Sequence, residues 1–332
     1  MRELKIGINE QGQRLDKYLK KYFSNAPSSF LYKMLRKKNI LVNNKKAVPE
    51  QMLQLEDRIT LYLAEETIEK FRVVNKTLYN EYSNAYEQYK NKVKVVFEDE
   101  HFLLLQKPAG ILSQKANRND LSMNEYAIGY LLEQNSLTKE QLQTFKPSIC
   151  NRLDRNTSGI LIVGKSLQGL QKMGELIQKR TLQKFYVCVV EGKVKEPSLL
   201  EGFLEKDEKN NQVTIYQCLL EEQKQQEQIN PIKTFYKPLR GNERTTLLEV
   251  ELITGKTHQI RAHLASIHHS IIGDYKYGQK EVNSYYESTY GIKYQLLHAY
   301  RLVFPKDREL GELAGRTIEI PIPEVFEKCI KD

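Results

Sequence analysis

The sequence predicts an α+β fold, with a large domain around a mixed β-sheet preceded by a small, basic α/β module. Two observations carry this. From Val93 onward, strand-length apolar runs alternate irregularly with fewer helical stripes and never settle into a βαβ repeat, which favours a mixed sheet. Residues 1–63 read instead as two amphipathic helices followed by a short sheet, and the intervening residues 64–92 shift toward Glu, Lys, Asn and Tyr, as a linker would.

In the first module, Leu15, Tyr18, Leu19, Tyr22 and Phe23 recur at helical spacing, and Leu31, Met34 and Leu35 repeat the pattern after Pro27-Ser28-Ser29. Ile40 and Val42 lead into the turn Asn43-Asn44, and Ile59, Leu61 and Leu63 alternate as a strand. The module is also where the charge lies. The chain carries +9 overall, yet residues 1–63 hold 13 Lys/Arg against 6 Asp/Glu, leaving only +2 for all the rest. Charge concentrated in this way is the footprint of a polyanion partner, although a merely solubilising surface would look similar. Lys33, Arg36, Lys37 and Lys38 on the second helix, with Lys45 and Lys46 at the turn, are expected to line one face that meets RNA phosphates as point charges.

Within the linker, Tyr79, Tyr82, Tyr86 and Tyr89 form one helical stripe, which is more often packed on a neighbouring domain than stacked on bases. The larger domain then spans 93–332. Val93, Val95, Val96 and Phe97, the turn Glu98-Asp99-Glu100, and a strand from Phe102 to Leu105 ended by Lys107-Pro108-Ala109-Gly110 make a hairpin. Further strands are expected at Ile160–Val163, Phe185–Val190 and Leu247–Leu252. A helix presenting Leu167, Leu170, Met173, Leu176 and Ile177 follows the first of them, and Glu221 to Gln228 reads as a polar surface loop.

Several classes of function are disfavoured. No apolar run approaches the roughly 18 residues of a membrane span, and Met1-Arg2-Glu3-Leu4-Lys5 is charged at once, unlike a signal peptide. Cys150, Cys188, Cys218 and Cys329 are scattered without a CxxC pair, so neither a disulfide framework nor a structural zinc site is expected, and a reducing cytoplasm fits. His258 and His263 are five apart with no acid between them, which suits hydrogen bonding better than metal binding. The HxE…PCxxC deaminase pattern and GxGxxG are both absent.

Gly159-Ile160-Leu161-Ile162-Val163-Gly164-Lys165-Ser166 satisfies the phosphate-loop pattern GxxxxGK[ST], but its four variable residues themselves read as a buried strand rather than a loop that curls around phosphates. Immediately before it stands Arg152-Leu153-Asp154-Arg155-Asn156-Thr157-Ser158-Gly159. By itself, a carboxylate between two arginines describes a surface ion-pair network more readily than a catalytic acid.

Taken with Ile160-Leu161, that stretch resembles the catalytic signature of the RluA family of pseudouridine synthases. Four other segments resemble that family in the same order: Phe97-Glu98-Asp99-Glu100 through Lys107-Pro108-Ala109-Gly110; Lys184-Phe185-Tyr186-Val187; Thr254 to Leu264 with Gly273-Asp274 and Tyr277-Gly278; and Leu296-Leu297-His298-Ala299. Near the N-terminus, Arg14-Leu15-Asp16-Lys17-Tyr18-Leu19, Ile40-Leu41-Val42-Asn43 and Glu56-Asp57-Arg58-Ile59 resemble the S-four-like RNA-binding domain. Three departures stand out: Asn151 where the family usually has His, Lys256 where Arg is common, and His268-His269-Ser270 where Gly-His-Pro is typical.

The resemblance implies an RNA pseudouridine synthase with Asp154 as the catalytic carboxylate, acting either as nucleophile at the sugar or as base on it. It implies that Arg261 pairs with Asp154, that Tyr186 faces the uracil and takes the C5 proton directly or through another group, and that Arg152 fills the gap left by a flipped base. No metal, nucleotide or redox cofactor is implied. The expected partner is RNA, ribosomal RNA above transfer RNA, with no membrane and with the chain acting as a monomer. A non-catalytic RNA-binding protein of the same fold and a phosphate-loop NTPase using Lys165 are the competing readings.

Overall fold

The computed structural model describes residues 1–72, 76–208, 210, 212–220, 223 and 228–331, with the side chains of 76–78 left aside. Of the polar stretch Glu221 to Gln228, only Gln223 and Gln228 fall within the described residues.

The N-terminal module is a four-stranded antiparallel sheet in the order β1 (Arg2–Lys5), β4 (Arg58–Leu61), β2 (Ile40–Val42), β3 (Lys45–Lys46), covered by α1 (Leu15–Tyr22) and α2 (Ser28–Arg36). Its core joins Leu15, Leu19 and Phe23 to Leu31, Leu35, Ile40, Ile59 and Leu61, all nearly or fully buried. The sequence reading missed β1, which is four residues long and alternates half-buried with exposed side chains, too weak a pattern to register. Asn43 and Asn44 both have positive φ, as a tight hairpin turn requires, so Lys45 and Lys46 lie on a strand just past the turn rather than in it.

Residues 64–92 are mostly helical. In α3 (Glu65–Phe71), Ile68 joins the N-terminal core. In α4 (Lys76–Tyr89), Tyr82 is almost fully buried, and Tyr79, Tyr86 and Tyr89 pack on the core of the larger domain against α5 (Met123–Glu133). The module is seated on that domain: Thr144 Oγ1 donates to buried Glu10 (2.7 Å), the Leu167 amide donates to Asn9, and Arg72 donates to Gln143.

Among the described residues, eleven strands build the large sheet. Its main path runs β11 (Gln212–Tyr216), β10 (Ser198–Asp207), β12 (Ile229–Gly241), β13 (Thr245–Leu252), β9 (Gln183–Glu191), β14 (Leu297–Val303), β8 (Ser158–Gly164), β6 (Phe102–Lys107), β5 (Lys94–Glu98). The short strands β7 (Ser148–Ile149) and β15 (Thr317–Glu319) pair with β8 and β14. Only the β14–β8 pairing is parallel, so the sheet is mixed. The remaining helices are α6 (Gln141–Thr144), α7 (Leu167–Gln178), α8 (Gln259–Ser266), α9 (Lys280–Tyr290) and α10 (Glu324–Lys331).

Strand β8 explains the phosphate-loop coincidence. Leu161 and Val163 enter the core on one face of the sheet, and Ile160 and Ile162 the core on the other, all at most 1 % exposed. A strand buried on both faces must be apolar throughout, and each such side chain contributes about 1.5–3 kcal/mol of burial. Lys165 is bound to Glu98 (2.6 Å) and to the Asp99 carbonyl, and Ser166 caps α7 by accepting from the Gly169 amide. No phosphate cradle exists there. Gly159, with φ +126°, crosses β14 so closely that a Cβ would lie 2.3 Å from the Ala299 carbonyl oxygen. At Asn151 the side chain extends β8's ladder, accepting from the Ile162 amide at 2.7 Å. His268 adopts φ +63°, the left-handed region that glycine occupies without strain.

Candidate active site

Asp154 lies in the loop between β7 and β8, and that loop is held from below. Lys107, fully buried at the end of β6, donates to the carbonyls of Pro108, Arg155 and Thr157, which uses all three ammonium hydrogens. Burial pushes this ammonium down to about 7, with the charge of Asp154 opposing the shift. Ser113 donates to the Leu153 carbonyl and accepts from the Leu153 amide, and the Thr157 amide closes a turn on the Asp154 carbonyl. The loop is therefore pinned on both sides of the carboxylate.

Asp154 Oδ2 accepts from the Arg261 guanidinium at 2.8 Å, while Oδ1 has no hydrogen-bond partner among the described residues. Arg261 is on α8, buried, and gripped from behind by Asp274, whose two carboxylate oxygens accept from Nε and Nη2 at 2.7 and 2.9 Å. Asp274 also accepts from the backbone amides of Lys276 and Tyr277. Burial opposes the Arg261 charge, but the carboxylates of Asp274 and Asp154 hold its pKa above the usual arginine range. The Tyr277 ring packs against the guanidinium, 5.2 Å from centroid to carbon.

The stretch Thr254 to Arg261 positions this arginine by backbone means. Gln259 is buried; its oxygen accepts from Thr254 and the Lys256 amide, and its nitrogen donates to the Lys233 carbonyl and Thr234. His258 takes a left-handed conformation, bonds Tyr277 through Nδ1 (2.9 Å), and leaves Nε2 at 3.8 Å from Asp154. Burial lowers its pKa, with the Asp154 charge opposing, so the ring is neutral near pH 7. His263 turns instead to Thr234, with its pKa pushed down to about 4 by burial. The two histidines thus serve separate hydrogen bonds.

Tyr186, on central strand β9, is 6 % exposed and lines the same cleft. Burial, then the Asp154 charge, raises its pKa, so the phenol stays protonated at neutral pH. Arg152 lies exposed at the cleft wall; among the described residues, neither it nor Arg155 forms an ion pair with Asp154. The cation that meets the carboxylate comes from 107 residues further along the chain.

The cleft encloses about 1110 Å³. Lys115, Arg152 and Arg155 line it from segments before β8, and Lys184, Lys206, Lys256, Arg261 and Lys276 from β9 onward, against Asp154 as the single acid among the described residues. Sequence reasoning missed this lining, because the residues are scattered through a stretch of almost zero net charge. It also gave no role to Lys107, Ser113 or Asp274, although Lys107 and Asp274 both fall within the motifs singled out. Lys33, Arg36, Lys37, Lys38, Lys45 and Lys46 lie outside the cleft, all exposed on the N-terminal module, and among the described residues none makes an ion pair.

Comparison with known proteins bears on this geometry. The model of the RNA pseudouridylate synthase family matches residues 101–266, half of the chain. The ribosomal large subunit pseudouridine synthase C of Pasteurella multocida is 30% identical over 96% of this chain and 89% of its own length. An uncharacterized RNA pseudouridine synthase of Mycoplasma genitalium is also 30% identical, over 89% of this chain and 87% of its own. The solved structure of human RNA pseudouridylate synthase domain containing 4 shares the fold, with TM-score 0.57 and 16% identity over 76% of this chain and 97% of that one. With the family model and a relative spanning nearly its whole length in agreement, the chain belongs to the RNA pseudouridylate synthase family and is an RNA pseudouridine synthase.

Proposed function

We propose that this enzyme isomerises selected uridines of large-subunit ribosomal RNA, with Asp154 starting the reaction. One observation carries the residue assignment: among the described residues, Asp154 is the sole acid in a cleft lined by eight Lys/Arg, with one oxygen bound by Arg261 and the other without a hydrogen-bond partner. The cleft suits a phosphodiester chain. The ribosomal target is supported by the name of the relative that matches nearly the whole chain, a ribosomal large subunit pseudouridine synthase, and work on ribosomal RNA is in keeping with a cytoplasmic enzyme.

The target uridine must leave its stack, at a cost of a few kcal/mol. The N1–C1′ bond then breaks, the uracil turns, C5 bonds to C1′, and the proton leaves C5 while N1 gains one. Asp154 Oδ1 is the oxygen available to the sugar, by attack or as a base. Arg261, charged and immobile, holds the carboxylate in place. Tyr186, kept protonated by burial, forms a wall for the uracil, and the C5 proton leaves through another group. The test is to incubate the protein with deproteinised large-subunit ribosomal RNA and map pseudouridine by chemical labelling. Discrete sites are expected; modification confined to transfer RNA would overturn the ribosomal assignment.

Arg152 occupies the vacated base position in this reading. Arg152→Ala should slow single turnover on folded RNA far more than on a short unstructured strand with the same uridine, since flipping costs least there. Equal slowing on both would make Arg152 a phosphate contact instead.

The N-terminal module is read as an S-four-like RNA-binding domain whose six exposed cations, without an ion pair among the described residues, meet phosphates. Because Glu10 and Asn9 are bonded into the larger domain, the test keeps the module and neutralises Lys33, Arg36, Lys37, Lys38, Lys45 and Lys46 to Gln. RNA affinity should fall and its salt slope flatten by roughly 0.7–0.9 for each phosphate no longer neutralised, with the single-turnover rate at saturating enzyme unchanged. A wild-type salt slope in that variant would assign the face to something other than RNA.

A further inference from the structure

A second cavity, of about 380 Å³, lies behind the loop that carries Asp154. It falls within the size range of small-ligand sites, about 300–1,000 Å³. Its floor is apolar, made by Ile292, Leu296, Val325 and Phe326. Its rim carries Lys92, Lys94 and Lys293, all exposed and, among the described residues, without an ion pair, together with Tyr294 at 43% exposure. Among the described residues, no Asp or Glu lines it. Asn156 and Gln295 line both this cavity and the catalytic cleft, so the two are neighbours across one wall.

We propose that this cavity is a second RNA pocket, which receives one unpaired nucleotide of the substrate with the base on the apolar floor against Tyr294 and the phosphate among Lys92, Lys94 and Lys293. Charge complementarity names the occupant. An apolar floor ringed by three exposed ammonium groups, with no carboxylate among the described residues, matches a flat ring bearing an anion, and an exposed tyrosine in the lining offers a stacking surface that any base can use. An RNA engaged in the adjacent cleft would present its neighbouring nucleotides here at high effective concentration. The pocket would then select sites where a second unpaired nucleotide lies near the target uridine. The inference rests on RNA being the substrate, and it adds a recognition element that the reaction itself does not need.

The test uses the full chain carrying Lys92→Ala/Lys94→Ala/Lys293→Ala and, separately, Tyr294→Ala and Tyr294→Phe. All four side chains are exposed, so folding is little affected. The triple variant should bind RNA several-fold more weakly, with a salt slope smaller by about 0.7 for each phosphate left without its lysine. Tyr294→Ala should cost about tenfold in affinity and Tyr294→Phe much less, because the ring and not the hydroxyl does the stacking. A substrate RNA carrying 4-thiouridine next to the target should crosslink to Tyr294 or its neighbours. Wild-type affinity and slope in the triple and Tyr294→Ala variants would overturn the proposal. So would an equal loss of heparin binding with no effect of Tyr294→Ala, which would leave only rim charge. Saturable binding of uridine monophosphate here without any RNA crosslink would overturn it in favour of a small ligand. Pseudouridine formation by the wild-type protein on the same RNA, measured in parallel, reports on the ribosomal assignment separately.

Discussion

Asp154→Asn is expected to abolish measurable pseudouridine formation while leaving RNA affinity and folding nearly unchanged. The substitution keeps the shape of the side chain and an oxygen that can still accept from Arg261. It removes the negative charge that attacks the sugar or takes its proton, and among the described residues no other acid lines the cleft to substitute. A positioned acid–base group contributes about 10²–10⁴-fold, and a nucleophile with no replacement sits at the top of that range or above it. The fold should tolerate the change, because Arg261 does not depend on Asp154 for its main counter-charge: Asp274 binds it through two oxygens from behind. Asp154 is itself 28% exposed, so its ion pair is partly screened and adds little stability. The measurement is single turnover at saturating enzyme, beside a thermal melt and an RNA titration. A well-folded Asp154→Asn protein that still converted uridine above a trace would remove Asp154 from the first step.

How much of this site was legible in the sequence depends on where each residue's partner comes from. Asp154 and Arg261 stood out because they sit in dense local motifs, and β8 because a doubly buried strand needs a continuous apolar run. Adjacency alone would have offered the flanking Arg152 and Arg155 as the counter-charges of Asp154, but both are exposed, and the pairing that the family resemblance implied, with Arg261 from across the fold, is the one the carboxylate makes. The basic cleft was invisible to charge counting, since its cations are spread from Lys115 to Lys276 among acids that face elsewhere. Strand β12 escaped because Pro231 and Pro238 punctuate it, and its register with β13 shifts just past Pro238, where a missing amide donor is tolerated. Lys107 read as a strand end, because nothing local reveals that three carbonyls from the region it reaches are waiting for its ammonium.

Asp274→Ala is expected to destabilise the protein by about 3–5 kcal/mol, the cost of leaving a buried charge without its partner, and to lower the single-turnover rate as well. Asp274 is fully buried and accepts four hydrogen bonds, two from Arg261 and two from backbone amides, so its removal strands the guanidinium and loosens the turn after it. Stability and catalysis can be separated by a second change. Asp274→Leu combined with Arg261→Met removes both charges and fills their volume with apolar atoms, and such replacements of buried pairs are often neutral or stabilising. The double variant should therefore regain much of the urea midpoint lost in Asp274→Ala, with an unchanged m-value. Its turnover should stay low, because Asp154 then has no cation to hold it. Recovery of turnover together with stability would mean that Arg261 serves only the fold and that the carboxylate works without it. A stable but inactive double variant is the outcome the geometry requires, since the guanidinium touches Asp154 on one side and its structural anchor on the other.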